Sequence, residues 1–462
     1  DAILGAVLTD TGFYAAPRWF DYQLKVDLLD AGDDTLSAMV FGFQDDLVVR
    51  TDPDEPDQVG VHYSTHRFVV RWEHALAETL RFELQPAVGV DGTRLGFGSE
   101  VGFELDAVRL NLRSALVWKP SDAVSAQVGL DSEAARYDYA LFVAGAPVDG
   151  DDPLSEEEPI DVGEGFWQVF PDPFVEATFR PLADPERLLL VAGARLDMIV
   201  RDDAPVAFAG DPRLGVRAGL FEGATLKAGT GLYHQPPQLT GLAGAPYFER
   251  AWASEIGWEQ RFGPAIQADL TGFYRDMSNL GGGDDPGVGR AYGMEIMVRH
   301  ALVDRVFGWV SYTLSKSERN DTPDDPEGWY PFDFDQTHIL TAVAGYRLPL
   351  DFELSGRAQY VTGNPYTPYA GGIYLMDEGG YLGYPSADTN SERQAPFYAV
   401  DLRVSKLFTF KHWQLEVFAD VLNAVHGKNP EFTLYNYDYT ESAYIQGLPT
   451  IPSIGFSAEV NL

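Results

Sequence analysis

The chain has 462 residues and a formal net charge of −37, with 70 Asp and Glu against 33 Lys and Arg. This charge argues against nucleic acid as a partner, because phosphate binding needs clustered Lys and Arg. Cysteine is absent, which excludes a disulfide scaffold and a cysteine-ligated metal site. No run of about 18 apolar residues occurs, which excludes a transmembrane helix but not a closed barrel of membrane-spanning strands.

Hydrophobicity alternates with a period of two along the whole chain, and this pattern is typical of strands with one apolar face. In residues 20–28, five apolar or aromatic residues alternate with Asp, Gln and Lys. The same alternation occurs in residues 266–275, 413–421 and 453–462. The dominant element is therefore an antiparallel strand.

About twenty such strands are predicted in chain order, and most reach the roughly nine to eleven residues that a tilted membrane strand needs. They lie near residues 1–8, 18–29, 35–49, 61–75, 80–90, 102–118, 123–138, 166–180, 187–199, 211–221, 225–233, 250–261, 266–276, 289–301, 306–318, 336–346, 352–362, 397–409, 413–423 and 453–462.

The predicted connections alternate between short and long. The short ones are residues 30–34, 76–79, 120–123, 221–224, 262–265, 302–305, 348–351 and 410–412. The long ones are residues 52–60, 90–101, 144–165, 234–249, 277–288, 319–335, 362–396 and 424–452, and residues 201–210 are intermediate. Outer-membrane barrels have this asymmetry, with short periplasmic turns and long extracellular loops.

A soluble all-β repeat such as a propeller is the alternative, since its strands also alternate. Three features argue against it. Tyr, Trp and Phe lie near strand ends, as in interface girdles. The opposite faces carry ionised residues that a packed core would not accept unpaired, namely Arg109, Arg113, Asp269, Arg275 and Arg403. No blade-length repeat is visible. We therefore predict an all-β transmembrane barrel in a bacterial outer membrane, with lipid and lipopolysaccharide as partners.

The second half of the chain contains a series of short motifs. They are Leu232-Tyr-His-Gln-Pro-Pro237, Arg290-Ala-Tyr-Gly-Met-Glu295, Phe307-Gly-Trp-Val-Ser-Tyr-Thr-Leu-Ser-Lys-Ser317, Phe334-Asp-Gln-Thr-His-Ile-Leu340, Val361-Thr-Gly-Asn-Pro-Tyr-Thr-Pro368, Asp401-Leu-Arg-Val-Ser-Lys406 and Phe418-Ala-Asp-Val-Leu-Asn423, before a final strand with Gly455. In this order they resemble the barrel of the TonB-dependent outer-membrane receptors. The resemblance runs over most of the chain.

This resemblance implies a barrel of twenty-two strands around an N-terminal plug, which follows a short TonB-binding box. Residues 1–462 contain no counterpart of the plug or the box. The predicted strands number about twenty, which is one hairpin fewer than in the family's barrel. Because open edges in lipid are costly, we expect a fragment or a chain completed by another polypeptide. Leu462 also stands where the family usually has an aromatic residue.

Aromatic residues in the predicted extracellular loops are the candidates for substrate contact, because amphipathic rings suit sugars and aromatic chelates. Equally, these rings could pack the loops against one another or lie at the membrane interface. The candidates, with two polar residues at a strand end, are His234, Gln235, Trp329, Tyr330, Phe332, Tyr366, Tyr369 and Tyr437.

Charged residues on the predicted luminal face are candidates for holding a plug or lining a path. This role is implied by the resemblance, and the residues are Asp269, Arg275, Arg403 and Glu416. No catalytic or metal-ligand motif is present, and neither His-Glu-x-x-His nor Gly-x-Ser-x-Gly occurs. The acidic clusters in residues 52–57, 149–161 and 321–327 lack the spacing of a calcium loop. We expect no enzyme, no cofactor and no metal site, and the acidic loops are interpreted as solvated surface.

The leading hypothesis is the barrel of a transporter that imports a scarce bulky solute, and the resemblance implies coupling to TonB. A barrel with a structural or secretory role, whose lumen is filled by a partner protein, is the alternative. A passive porin ranks third, because porins have about sixteen to eighteen strands. The sequence does not separate metal chelates, cobalamin and glycans as cargo.

Overall fold

The computed structural model describes residues 14–50, 59–97, 101–143, 160–184, 187–202, 204–236, 246–282, 285–375, 380–386 and 388–460. The predicted strand at residues 1–8 and most of the acidic clusters at 52–57 and 149–161 lie outside them. The described residues form strands joined by turns and loops. No helix among them is long and apolar enough to cross a lipid bilayer.

The strands are β1 (Tyr14–Ala31), β2 (Asp34–Arg50), β3 (Val59–Ala77), β4 (Leu80–Phe97), β5 (Val101–Ser121), β6 (Val124–Val143), β7 (Ile160–Phe179), β8 (Leu188–Arg201), β9 (Ala207–Phe221), β10 (Ala224–Gln235), β11 (Glu249–Phe262), β12 (Ile266–Leu280), β13 (Gly287–Val303), β14 (Val306–Asn320), β15 (Tyr330–Pro331), β16 (His338–Arg347), β17 (Phe352–Val361), β18 (Pro365–Tyr366), β19 (Tyr369–Leu375), β20 (Gly380–Pro385), β21 (Glu392–Arg393), β22 (Phe397–Thr409), β23 (Trp413–Leu422), β24 (Pro430–Tyr435), β25 (Ser442–Gln446) and β26 (Ile451–Val460).

One antiparallel sheet of 20 strands contains all the long strands, which confirms the predicted all-β architecture. Each long strand pairs with the next long strand along the chain, so the topology is a continuous meander. The two-residue strand β15 adds to the end of β14. Three small sheets, β18–β21, β19–β20 and β24–β25, lie in the long connections. Among the described residues β1 and β26 are not paired with each other, and the expected closing hairpin stays a prediction.

The two faces of the sheet differ in chemistry, as the alternation predicts. On β5, Leu110, Leu112 and Trp118 are exposed on one face. On the other face, Arg109 and Arg113 make hydrogen bonds to carboxylates of β4 and β6. Exposed apolar side chains on one entire face of a sheet are expected where that face contacts lipid. We call these the apolar face and the polar face.

A conventional hydrophobic core is almost absent from the described residues. The single buried cluster consists of Ile199, Ala209 and Phe248, and Phe170 and Ala207 pack against it. The backbone ladders and cross-strand pairs therefore hold the strands together, as in a barrel with a polar interior. On the polar face these pairs are ionic: for example, Asp91 accepts hydrogen bonds from Arg67 of β3 and Arg109 of β5.

The connections follow the predicted alternation at most positions, and they give the sheet two unlike ends. At the turn end, glycines with positive φ angles close three of the tight turns: Gly32 (66°), Gly223 (76°) and Gly263 (67°). Only glycine adopts this region without strain. At the loop end lie the connections that we name loop A (residues 321–337), loop B (residues 362–396) and loop C (residues 423–450).

Two predicted long connections are shorter than expected. The expected loop at residues 90–101 is mostly strand, because β4 continues to Phe97 and β5 begins at Val101. Gly92 and Gly96 suggest a turn, but both pair across to β5, and Arg94 on the same stretch forms ion pairs with Glu104 and Asp106. The expected loop at 277–288 is likewise reduced, since β12 reaches Leu280 and β13 begins at Gly287.

Candidate functional site

Loops A and B are joined at the loop end of the sheet by an ion pair between a buried carboxylate and a solvent-accessible arginine. Asp335 is 1% exposed. Its carboxylate accepts hydrogen bonds from Arg393 of loop B and from the backbone N–H of Ser317, the latter at 2.6 Å. Arg393 also donates to the carbonyl oxygens of Asp335 (2.5 Å) and Gly363 (3.2 Å). Since a buried carboxylate needs partners for both oxygens, this pair fixes loop B against the end of β14.

Buried asparagines fix the loops in the same way. Asn390 of loop B donates to the carbonyl of Pro331 (2.9 Å) and to the carboxylate of Asp333 (2.6 Å), both in loop A. In loop C, Asn429 exchanges two hydrogen bonds with the backbone of Tyr398, which lies at the start of β22. Asn423 bonds the backbone of Gly427 in both directions. Asn390 thus joins loop B to loop A, Asn429 ties loop C to β22, and Asn423 orders loop C internally.

Tyrosines from loops B and C form two groups of ring contacts on the hairpin β19–β20, which we call together the tyrosine cluster. The ring of Tyr369 lies 5.2 Å from the rings of both Tyr435 and Tyr439, measured between centroids. Tyr381 lies 5.1 Å from Tyr374 and 5.7 Å from Tyr437. These edge-on and tilted contacts have the geometry that aromatic pairs favour. The cluster joins the hairpin β19–β20 to the turn that follows β24.

Glycine permits this packing at one point in particular. A Cβ atom at Gly383 would lie 2.7 Å from a ring carbon of Tyr439 and 2.8 Å from the ring of Tyr369. Such separations are too short for any side chain, so only glycine lets both rings approach the hairpin.

The predicted contact residues of loop A are engaged with the sheet rather than open. The guanidinium of Arg290 lies 4.2 Å from the ring centre of Trp329, and that of Arg319 lies 4.0 Å from the ring centre of Phe332. These are cation–π contacts, and each occupies one face of its ring. Tyr330 donates its hydroxyl proton to Asp321 at 2.7 Å. Burial and this hydrogen bond raise the pKa of Tyr330 to about 12.

The predicted contact residues of loops B and C divide into two kinds. Tyr437 is 79% exposed, whereas Tyr369 is 37% exposed and packs inside the cluster. Tyr366 lies in the short strand β18, opposite Glu392 of β21. Burial and the neighbouring Tyr444 raise the pKa of Tyr366. Tyr437 is therefore the predicted residue with most ring surface available to a solute.

The two polar candidates at the end of β10 lie apart from this cluster. His234 is bonded through Nδ1 to the buried carboxylate of Asp211 at 2.6 Å, and its backbone N–H also donates to Asp211. Its ring meets the ring of Phe248 edge-on at 6.1 Å. Gln235 is exposed and pairs with Glu249 of β11. His234 thus connects strands β9 and β10, and its role in solute contact stays a prediction.

The predicted luminal residues lie on the polar face, and three of the four are paired there. Asp269 accepts a hydrogen bond from Lys227 at 3.1 Å. Arg403 lies 3.7 Å from Glu416 and 3.6 Å from Asp420. The guanidinium carbon of Arg275 lies 5.9 Å from the ring centre of Phe273. Their roles toward a plug or a path stay predictions.

The sequence analysis missed the residues that fix the loops, namely Asp335, Asn390, Arg393, Asn423 and Asn429. A local signal exists for Asn429, which precedes Pro430, because Asn beside Pro often shapes loops. Asp335 and Asn423 lie within the quoted motifs, but nothing local indicates that Asp335 pairs with Arg393, 58 residues away. Among the described residues, no three His, Asp or Glu side chains form a group that could hold a metal ion.

Solved structures of other proteins have the same architecture and match nearly the whole length of this chain. The ferripyoverdine receptor of the outer membrane of Pseudomonas aeruginosa matches 97% of this chain with a TM-score of 0.68 and 14% identity. The ferric preacinetobactin receptor BauA from Acinetobacter baumannii matches 97% of this chain with a TM-score of 0.68 and 12% identity. The copper transporter OprC matches 96% of this chain with a TM-score of 0.63 and 12% identity.

The fold is the β-barrel of the TonB-dependent outer-membrane receptors. This fold agrees with the bacterial outer-membrane location that the apolar face and the alternating connections predict. These neighbours are receptors and transporters rather than enzymes. The chain spans 65% of the length of the ferripyoverdine receptor, 72% of BauA and 71% of OprC. No family model matches the sequence, and no curated protein matches it.

Proposed function

We propose that this chain is the barrel of a TonB-dependent transporter that imports a scarce bulky solute across the bacterial outer membrane. The observation that supports it most is the match of 97% of the chain to the ferripyoverdine receptor with a TM-score of 0.68. On this proposal the loop end faces the medium, and loops A, B and C receive the solute. A plug domain in the lumen and the TonB system are the further components of the proposed transporter.

The fixed loops support a receptor role. A binding surface that is already ordered loses less conformational entropy when it captures a solute. The bonds of Asp335, Asn390 and Asn429 supply this order, and the tyrosine cluster supplies aromatic surface. Aromatic rings with hydroxyl groups suit flat or ring-shaped solutes that combine apolar and polar surface.

The cargo belongs to the class of metal chelates, cobalamin or glycans. The same fold serves a ferripyoverdine receptor and a copper transporter at nearly equal similarity to this chain. The fold therefore does not select among these cargoes, and the loops must do so.

Uptake in cells tests the proposal. A strain that lacks the gene, and the same strain complemented with it, would be supplied with labelled iron chelates, cobalamin or oligosaccharides. We expect one class to enter only the complemented strain, and a protonophore should abolish this uptake because the import requires energy. The transporter proposal fails if all classes enter both strains at equal rates. The barrel with a structural or secretory role then becomes the better proposal.

A further inference from the structure

Strand β7 contains two prolines within the segment Phe170-Pro-Asp-Pro-Phe174. Proline has no backbone N–H, so it removes a ladder hydrogen bond and is normally absent from central strands. Yet β7 lies between β6 and β8 in the sheet. The backbone pairing around Pro171 and Pro173 therefore has to differ from that of the other strands.

The pairing between β7 and β8 is interrupted at these prolines. Gln168 pairs with Arg201 and Val169 with Val200, and pairing resumes only at Phe174 with Arg195. The register is the same on both sides of the interruption, so the feature is a gap and not a bulge. On the other side of β7, all 20 positions pair with β6. The prolines thus direct their missing N–H groups toward β8.

Asp172, which lies between the two prolines, fills the gap with its side chain. It is 5% exposed. Its Oδ1 accepts the backbone N–H of Met198 at 2.9 Å, and its Oδ2 accepts Nη2 of Arg195 at 2.5 Å. Because lipid offers no hydrogen bonds, a backbone N–H in a membrane wall needs a partner inside the protein. The carboxylate of Asp172 provides this partner where the ladder does not.

The strand ends on the loop side of the gap share few backbone pairs, and side-chain contacts supplement them: Arg201 lies 4.6 Å from the ring centre of Phe166, and Phe170 packs against the cluster around Ile199. Two residue pairs connect β7 to β8 on the loop side of the gap, against six pairs on the turn side. Short ladders separate more readily than long ones, because local opening needs to break fewer bonds.

We propose that the gap between β7 and β8 is a built-in opening point of the barrel wall, held closed by Asp172. When Asp172 releases Met198 and Arg195, the two pairs above the gap separate, and the loop-side ends of β7 and β8 part. The opening point is a property of the wall itself and does not depend on which solute the loops receive.

Hydrogen–deuterium exchange of the full chain in lipid nanodiscs tests this proposal. In the Asp172→Ala variant, peptides covering residues 188–201 should exchange about tenfold faster or more, since a buried N–H has lost its partner. Asp131→Ala is the matched control: Asp131 also lies near Arg195, at 3.6 Å, and accepts hydrogen bonds from Arg113, but it has no bond to the backbone of β8. Unchanged exchange in Asp172→Ala, or equal acceleration in both variants, overturns the proposal.

A second variant keeps the test decisive if Asp172→Ala does not fold. Replacing both prolines (Pro171→Thr and Pro173→Thr) restores the two N–H groups and should slow exchange in residues 188–201. The new N–H groups donate to carbonyl oxygens of β8 and close the gap, so in this background Asp172→Ala should have little effect, because backbone carbonyls of β7 then accept the N–H groups of β8. If exchange in the double-threonine protein equals that of the unaltered chain, the prolines do not create the opening point and the proposal is wrong.

Discussion

The guanidinium of Arg393 lies against Asp335, donating to its carboxylate and, at 2.5 Å, to its carbonyl oxygen. The carboxylate is buried, and its other oxygen accepts the backbone N–H of Ser317. One side chain of loop B is thereby connected to loop A and to β14 at the same time. This contact holds loops A and B together on the end of β14, and its contribution can be tested by removing the carboxylate.

Asp335→Ala should release loop B from loop A. The substitution leaves the backbone N–H of Ser317 without its acceptor and Arg393 without its carboxylate partner, which should cost about 1–3 kcal/mol. We expect limited proteolysis to cut within residues 362–396 in this variant before the strands unfold. Asp324→Ala is the control, because Asp324 is exposed in the same loop. Equal resistance of the two variants to protease would show that the pair does not hold the loops.

Substitutions of Tyr437 and Tyr369 should have different effects, because Tyr437 is exposed and available to a solute whereas Tyr369 packs inside the tyrosine cluster. Tyr437→Ala removes an exposed ring and should change the free energy of unfolding by less than about 0.5 kcal/mol. The affinity of the Tyr437→Ala variant for the transported solute should nevertheless fall by about tenfold. Tyr369→Ala removes two aromatic pairs and should cost about 1–3 kcal/mol of stability. Thermal unfolding and equilibrium binding would be measured on both variants, and a Tyr437 variant with unchanged affinity would remove this residue from the site.

The two faces of β12 allow a test of the membrane assignment. Leu270→Arg places a charge on the apolar face and should destabilise the barrel in lipid vesicles by about 2 kcal/mol or more. Thr271→Arg, one residue further along the same strand, places the charge on the polar face, where Thr271 stands opposite Glu295 of β13. Thr271→Arg should therefore reduce the stability of the barrel much less than Leu270→Arg. Urea unfolding in vesicles measures both, and equal costs would contradict the assignment of the faces.

Acid should loosen the turn that carries Tyr437 and Tyr439. The hydroxyl of Thr440, which donates to Asp438 at 2.6 Å, lowers the pKa of this carboxylate below its usual value of 3.8. A lowered pKa means that Asp438 stabilises the turn above pH 3.8, and that this contribution is lost as the pH falls through the lower, folded-state pKa. Tyrosine fluorescence should therefore change at a lower pH in the unaltered chain than in Thr440→Val. Coincident acid transitions would exclude this hydrogen bond as the cause.

The strands could be predicted from the sequence because their signal is local. On β12, Ile266, Leu270 and Tyr274 alternate with polar residues, and each lies on the apolar face in the structure. The alternation of connections could be predicted for the same reason, since Gly32 and Gly223 mark the tight turns within a few residues of the strands they join. The expected loop at residues 90–101 was wrong, because Gly92 and Gly96 pair with residues of β5 and the strand continues through them.

The loop contacts could not be predicted, because they depend on residues far apart in the chain. Asp335 and Arg393 meet only after loops A and B have folded over the same strands. Aromatic composition left open whether these rings contact a solute, pack the loops or lie at the membrane interface, and it did not separate the packed Tyr369 from the exposed Tyr437. The role of Asp172 was equally hidden, since two prolines in a strand normally argue against a central position.

The two ends of the sheet also differ in how much of the chain a diffusing molecule can contact. At the turn end, connections such as Gly32–Asp33 scarcely extend beyond the strands, so a molecule that diffuses toward this end encounters little besides the rim. At the other end, loops A, B and C extend beyond the strands, and Tyr437 among them is 79% exposed. On the proposed function, the rate of first capture of a solute would therefore be higher at the loop end than at the turn end.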